Sequence, residues 1–119
     1  MTQYAALIYT RDVDWSLPEY AEEAVQYAKF GENNAASIRG GAALYQTSTA
    51  TVVRVKDARG GEVVTTDGPY AETKEALTGF YLLEADDLDA AIAIAAQLPA
   101  AWDGAVELRP VSPMGADNM

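Results

Sequence analysis

At 119 residues, half of them hydrophobic, the chain has the size of one domain built around one core. Its 18 acidic residues against 8 scattered basic ones give a formal net charge of −10, which argues against a protein that grips a nucleic-acid backbone. Cysteine and histidine are both absent, which excludes disulfides, thiolate catalysis and histidine-based acid/base or metal chemistry.

A metal would have to rest on carboxylates alone, and no calcium-loop spacing occurs, so neither metal nor cofactor is expected. No apolar run approaches the roughly 18 residues of a membrane span. Met1-Thr2-Gln3-Tyr4 carries no basic segment, so no signal peptide is expected and a cytoplasmic location is the default.

Tyr4-Ala5-Ala6-Leu7-Ile8-Tyr9 is an apolar run of strand length and reads as a buried central strand. Ser16-Leu17-Pro18-Glu19 then has the form of a capping box with proline in the first turn, opening a helix. Tyr20, Ala24, Tyr27, Gly31, Ala35 and Ile38 recur at three- and four-residue steps, so the helix is predicted to run to Ile38 and to end at Gly40-Gly41. Gly31 and Asn33-Asn34 weaken its middle, where a kink is expected.

Ala42 to Tyr45 reads as a short second strand, Thr51 to Lys56 as a third, and Glu62 to Thr66 as a fourth, with Asp57 to Gly61 as the turn of a longer hairpin. Gly79 to Glu84 is the fifth strand. Asp86 is the expected cap of a second helix, whose buried stripe would be Leu88, Ala91, Ile92, Ala95 and Leu98, with Pro99 as its stop. Ala105 to Arg109 alternates as a last strand. Residues 1–111 form the expected single domain, and 112–119 a loose tail.

The densest polar run is Asp67-Gly68-Pro69-Tyr70-Ala71-Glu72-Thr73-Lys74-Glu75. Gly68 and Pro69 must end or bulge the strand before them, and the residue before a proline is biased toward extended backbone. Glu72, Lys74 and Glu75 suit a short helical turn. An aspartate such as Asp67 ordinarily bonds the backbone of its own turn. Ionisable groups crowded at a strand end also mark binding sites, which makes Asp67 the candidate catalytic or hydrogen-bonding centre. Tyr9, Arg54, Tyr70, Thr73 and Lys74 are the candidate ligand-binding residues, Arg54 for a carboxylate.

This run resembles the signature of the YciI-like (YCII-related) family, in the subgroup named for a DGPF or DGPFAETKE motif, with Tyr70 standing where the signature has phenylalanine. Tyr4 to Tyr9, Gly79 to Leu82, Asp86 to Ala90 and Val106 to Pro110 extend the resemblance over nearly the whole chain. With the order of elements it implies an α+β fold: a ferredoxin-like βαββαβ split sheet with an extra β-hairpin, assembled as a dimeric α/β barrel. Leu7, Val53, Phe80, Leu82 and Val106 would leave an apolar sheet face to be covered, so a homodimer packed sheet to sheet is expected.

Some relatives of this kind are thought to use a His-Asp pair to dehydrochlorinate an aromatic substrate, and the absence of histidine prevents that carry-over. Asp67 could act as a base near neutral pH only if burial raised its pKa. The leading expectation is a pocket for a small anionic or aromatic ligand near the Asp67 motif, with catalysis left open. Two alternatives stand beside it. One is a non-catalytic regulatory or protein-interaction module, which the resemblance links to transcription of the sigma-factor type; the other is a purely structural dimer.

Overall fold

The computed structural model describes residues 1–114. The last five residues of the expected loose tail, 115–119, lie outside the described residues. Three long or paired strands carry the apolar runs: β1 (Thr2–Arg11), β5 (Glu75–Ala85) and β6 (Ala105–Pro110). With β2 (Ile38–Ala43) they form one antiparallel sheet in the order β2-β5-β1-β6. The remaining strands, β3 (Thr51–Val55) and β4 (Val63–Asp67), pair only with each other. The helices are α1 (Ala21–Asn33), α2 (Leu88–Ala95) and the single turn α3 (Ala100–Asp103). Without the β3–β4 hairpin and the single turn α3 the order is βαββαβ, the ferredoxin-like arrangement.

Alternation along β1 decides which side is covered. Tyr4, Ala6, Ile8 and Thr10 are buried, while the residues between them are not. Ile8 meets Phe30 of α1 together with Leu98 and Ala100, and Tyr4 meets Ala85 and Ala91 of α2. All the helical cover therefore lies on one face. By the same alternation Leu7, Tyr9 and their β5 neighbours Leu77, Phe80 and Leu82 belong to the other face. Val106 departs from the sequence expectation: it packs into the helix-side core beside Ile8. Val53 belongs to the hairpin and is 61% exposed.

Several predicted boundaries shift, each for a local reason. The Ser16 amide and hydroxyl both go to the Asp14 carboxylate, the amide at 3.0 Å, so Ser16 caps nothing. A 3₁₀ turn over Pro18–Tyr20 precedes α1 instead. The helix stops at Asn33 because the Asn34 side chain and amide both donate to the Phe30 carbonyl at 3.0 Å, and Ile38 N–H then closes a turn on the Asn34 carbonyl. The asparagine pair therefore ends the helix where a kink was expected, and Ile38 opens a strand.

Gly40 and Gly41 lie inside β2, and a side chain at Gly41 would bring its Cβ within 2.5 Å of the Phe80 carbonyl oxygen. The glycine pair thus permits close approach of β2 to β5 and does not mark a helix end. The second helix is capped by Asp87, whose carboxylate accepts from Ala90 N–H at 2.9 Å, and not by Asp86. It ends at Ala95, and Pro99 leads into α3. Ala91, Ala95 and Leu98 are buried as expected, but Leu88 and Ile92 are about half exposed.

Candidate functional site

The hairpin delivers the Asp67 run away from the sheet. Its tip holds Asp57 and Ala58 at φ 56° and 59°, and Lys56 N–H closes it on the Glu62 carbonyl. Asp67 ends β4 opposite Thr51 and is exposed. The next residue takes φ 102° instead of the extended backbone expected before a proline, and its N–H donates to the Ala50 carbonyl at 2.8 Å. Only glycine adopts that geometry at low cost, so Gly68 turns the chain out of the ladder.

The short helical turn predicted over Glu72 to Glu75 does not form. Thr73 bonds the Glu75 carbonyl through its hydroxyl, and Glu75 begins β5. Arg54 and Tyr70 do meet, with the guanidinium 5.5 Å from the ring centroid and Tyr70 80% exposed. Lys74 is exposed and makes no ion pair among the described residues. Tyr9 is half-buried on β1, opposite Leu77 and Ala105. The six candidates are therefore spread over β1, the hairpin and the loop after it, and only Arg54 and Tyr70 are in contact.

A cavity with a volume near 430 Å³ lies elsewhere, between α1 and the β2-β5-β1 part of the sheet. None of the six candidates lines it. Its floor is the Thr10–Thr78 pair, hydroxyl to hydroxyl at 2.8 Å and almost fully buried. A bulge between Ile8 and Tyr9 sets this contact: Ile8 pairs with Gly79 but Tyr9 with Leu77, which leaves Thr78 as the extra residue. Gly41 and Gly79 leave the wall without side chains, and the facing wall comes from Tyr20 at the end of the 3₁₀ turn and from Glu23, Ala24 and Tyr27 of α1. Glu23, Ala24 and Tyr27 share one helical stripe, with Tyr27 three and four residues from the other two.

Burial dominates the electrostatics of this wall. Tyr27 is pushed up to about 12, first by burial and then by the neighbouring Tyr81 and the carboxylate of Asp103, with the Ala100 backbone opposing the shift and Glu23 adding a last small rise. Tyr81 is also raised by burial. Both phenols stay neutral donors across the physiological range. At the cavity rim Trp15 and Tyr20 lie 4.7 Å apart, and the Arg11 guanidinium sits over both rings. Among the described residues no cluster of three or more acidic side chains could hold a metal ion, and no helix is long and apolar enough to cross a membrane.

The sequence reading missed Thr10, Trp15, Tyr20, Glu23, Tyr27, Thr78 and Tyr81 as site residues. The Tyr20-Ala24-Tyr27 stripe was visible, but a stripe of that kind reads first as core. The sheet contribution depends on a bulge that nothing in the residue pattern announces.

Fold and cavity together define an α+β domain of ferredoxin-like topology with a pocket between sheet and helix. The family model of the YCII-related domain matches residues 2–115, and the chain belongs to that family. An uncharacterized protein of Rhizobium meliloti (strain 1021) is 41% identical over 73 residues, a stretch covering 60% of this chain. The match spans 56% of that relative's length.

Proposed function

We propose that this chain is a small-molecule-binding protein that works as a homodimer, its ligand held between α1 and the sheet. The observation that carries the binding reading is the cavity. Near 430 Å³, it falls within the roughly 300–1,000 Å³ of ligand sites, and it is walled by aromatic and apolar groups with few polar ones. Its polar groups are two threonine hydroxyls, phenols held neutral by burial and one carboxylate, a set suited to orienting a ligand. Asp67 is exposed at the end of β4, outside this cavity, so the reading does not assign it a base's role.

The shape of the chain supports the homodimer. Its radius of gyration is 16.3 Å, where a compact domain of this length has roughly 13–14 Å. It exposes 8223 Å², roughly 2,000 Å² more than a compact monomer of 12.7 kDa. The helix-free sheet face carries Leu7, Phe80 and Leu82 in its centre with Glu107 and Arg109 of opposite sign toward one edge, a self-complementary surface for a second copy.

Two measurements test the proposal. Thermal unfolding against a panel of small aromatic compounds should give at least one stabilising ligand whose effect is lost in Ala24→Trp, a substitution that fills the cavity from α1. A panel with no effect on the wild-type protein, or with effects untouched by that variant, would refute cavity binding. Sedimentation at micromolar concentration should give a dimer that Leu82→Glu dissociates. A monodisperse wild-type monomer would refute the assembly.

A further inference from the structure

The cavity walls are chemically lopsided. Of its fifteen lining residues Glu23 alone carries a formal charge, and no lysine or arginine lines it. Glu23 is partly buried and makes no ion pair among the described residues. It stands one turn before Tyr27 on α1 and three residues after Tyr20, which ends the 3₁₀ turn leading into that helix, and all three residues line the cavity. Trp15 and Tyr81 complete an aromatic surround.

The rim already shows what such rings attract. The Arg11 guanidinium lies 5.5 Å from the Trp15 ring and 5.8 Å from the Tyr20 ring, although Arg11 itself does not line the cavity. Aromatic faces with a carboxylate beside them are a receptor for a cation, since the ring quadrupole and the negative charge act in the same direction. A net charge of −10 further favours the approach of cations over anions. Arg54, the one basic residue expected to hold a ligand carboxylate, is on the hairpin over Tyr70 and outside the cavity.

We propose that the ligand is a small apolar molecule bearing a protonated or quaternary amine, its body among the cavity aromatics and its positive charge beside Glu23. This rests on the cavity-binding reading above and names the chemistry of what the cavity takes. Aromatic and apolar residues make up most of the wall, and the Thr10–Thr78 floor closes its end. An anionic molecule of the same size would meet Glu23 with no compensating cation in the wall.

Titration calorimetry with three molecules of nearly equal shape tests this: phenethylamine, phenethyl alcohol and hydrocinnamate. The amine is expected to bind the wild-type protein roughly tenfold or more tightly than the alcohol, with the carboxylate weakest. In Glu23→Gln the amine should fall to within about threefold of the alcohol, which itself is unchanged. Glu23 is on a helix surface, so circular dichroism of the variant should match wild type and loss of fold is separable from loss of charge. If the alcohol binds as well as the amine, or Glu23→Gln leaves their ratio unchanged, the cation proposal is overturned while cavity binding stands. Tightest binding of hydrocinnamate would overturn it in favour of an anion held by Arg11. If none of the three binds, the cation proposal falls, and cavity binding is then decided by the wider panel and Ala24→Trp.

Discussion

The Thr10–Thr78 pair allows a quantitative test of the cavity floor. Its oxygens are 2.8 Å apart, and the residues are 7% and 9% exposed. Thr10 also donates to the Arg11 carbonyl at 3.2 Å, so in the consistent arrangement Thr78 donates to Thr10. Replacing Thr78 by valine removes one hydrogen bond and leaves Thr10 its carbonyl, at a cost of about 1 kcal/mol. Replacing Thr10 strands a buried donor on Thr78, at about 2 kcal/mol. The double variant Thr10→Val/Thr78→Val removes both partners together and should cost less than about 1 kcal/mol, against about 3 for the sum of the singles. The expected coupling is therefore about 2 kcal/mol. Urea unfolding at one fixed protein concentration measures it, with equal slopes required across the four proteins. By heat, each kcal/mol corresponds to about 4 °C for a chain of this length. Additive single costs, or Thr78→Val costing more than Thr10→Val, would refute the assigned direction of the bond and the dryness of the floor.

Three further outcomes follow from particular contacts. Asp87→Ala should lose about 1 kcal/mol, because its carboxylate accepts from Ala90 N–H, while Asp86→Ala should stay within about 0.5 kcal/mol; chemical unfolding of both decides which aspartate is the cap. Asp67→Asn should leave stability within about 0.5 kcal/mol, since Asp67 is exposed and its side chain makes no hydrogen bond among the described residues. A loss of 1 kcal/mol or more would mean that the carboxylate fastens a turn or an interface. The raised pKa of Tyr27 favours its neutral form in the fold, so it adds no pH dependence below pH 10, and stability should fall as pH rises from about 10 to about 12. Phenolate absorbance should show a late-titrating tyrosine that Tyr27→Phe removes; a titration unchanged by that substitution would contradict the burial of its hydroxyl.

How much was legible in the sequence depends on the range of the interaction involved. The apolar runs at Tyr4–Tyr9 and Gly79–Glu84, and the alternation after Ala105, gave three of the four strands of the split sheet, because burial imposes a period the residues must show; β2, expected over Ala42 to Tyr45, instead runs Ile38–Ala43. The hairpin was equally visible in its flanking β-branched runs. The helix boundaries were less so. Ser16 had a competing acceptor two residues away in Asp14, and Asn34 could either weaken a helix or terminate it. Gly40-Gly41 had two meanings, a helix end or a strand passing close to another backbone, and only the neighbouring Phe80 carbonyl distinguishes them. The site was the least legible part. Glu23, Thr10 and Thr78 are 13 to 68 residues apart, and a β-bulge brings the threonines into register.

One feature of the residue pattern bears on the proposed homodimer. Phe80 to Leu83 is apolar at four successive positions, and a strand so composed is ordinarily covered on both faces. In this chain Leu83 is fully buried under the helices, while Leu82, its neighbour on the opposite face, is only half-buried, and Leu77 is 39% exposed. The same holds for β1, where Leu7 alternates with the buried Ala6 and Ile8 but has no helix above it. A helix-free face that served only solvent would tolerate Lys, Glu or Thr at positions 7, 80 and 82 with little cost in stability. These side chains are what an interface requires and what an exposed sheet does not. The two-sided pattern therefore supports a second layer of protein over Leu7, Phe80 and Leu82, and among possible layers a symmetric copy needs no additional component.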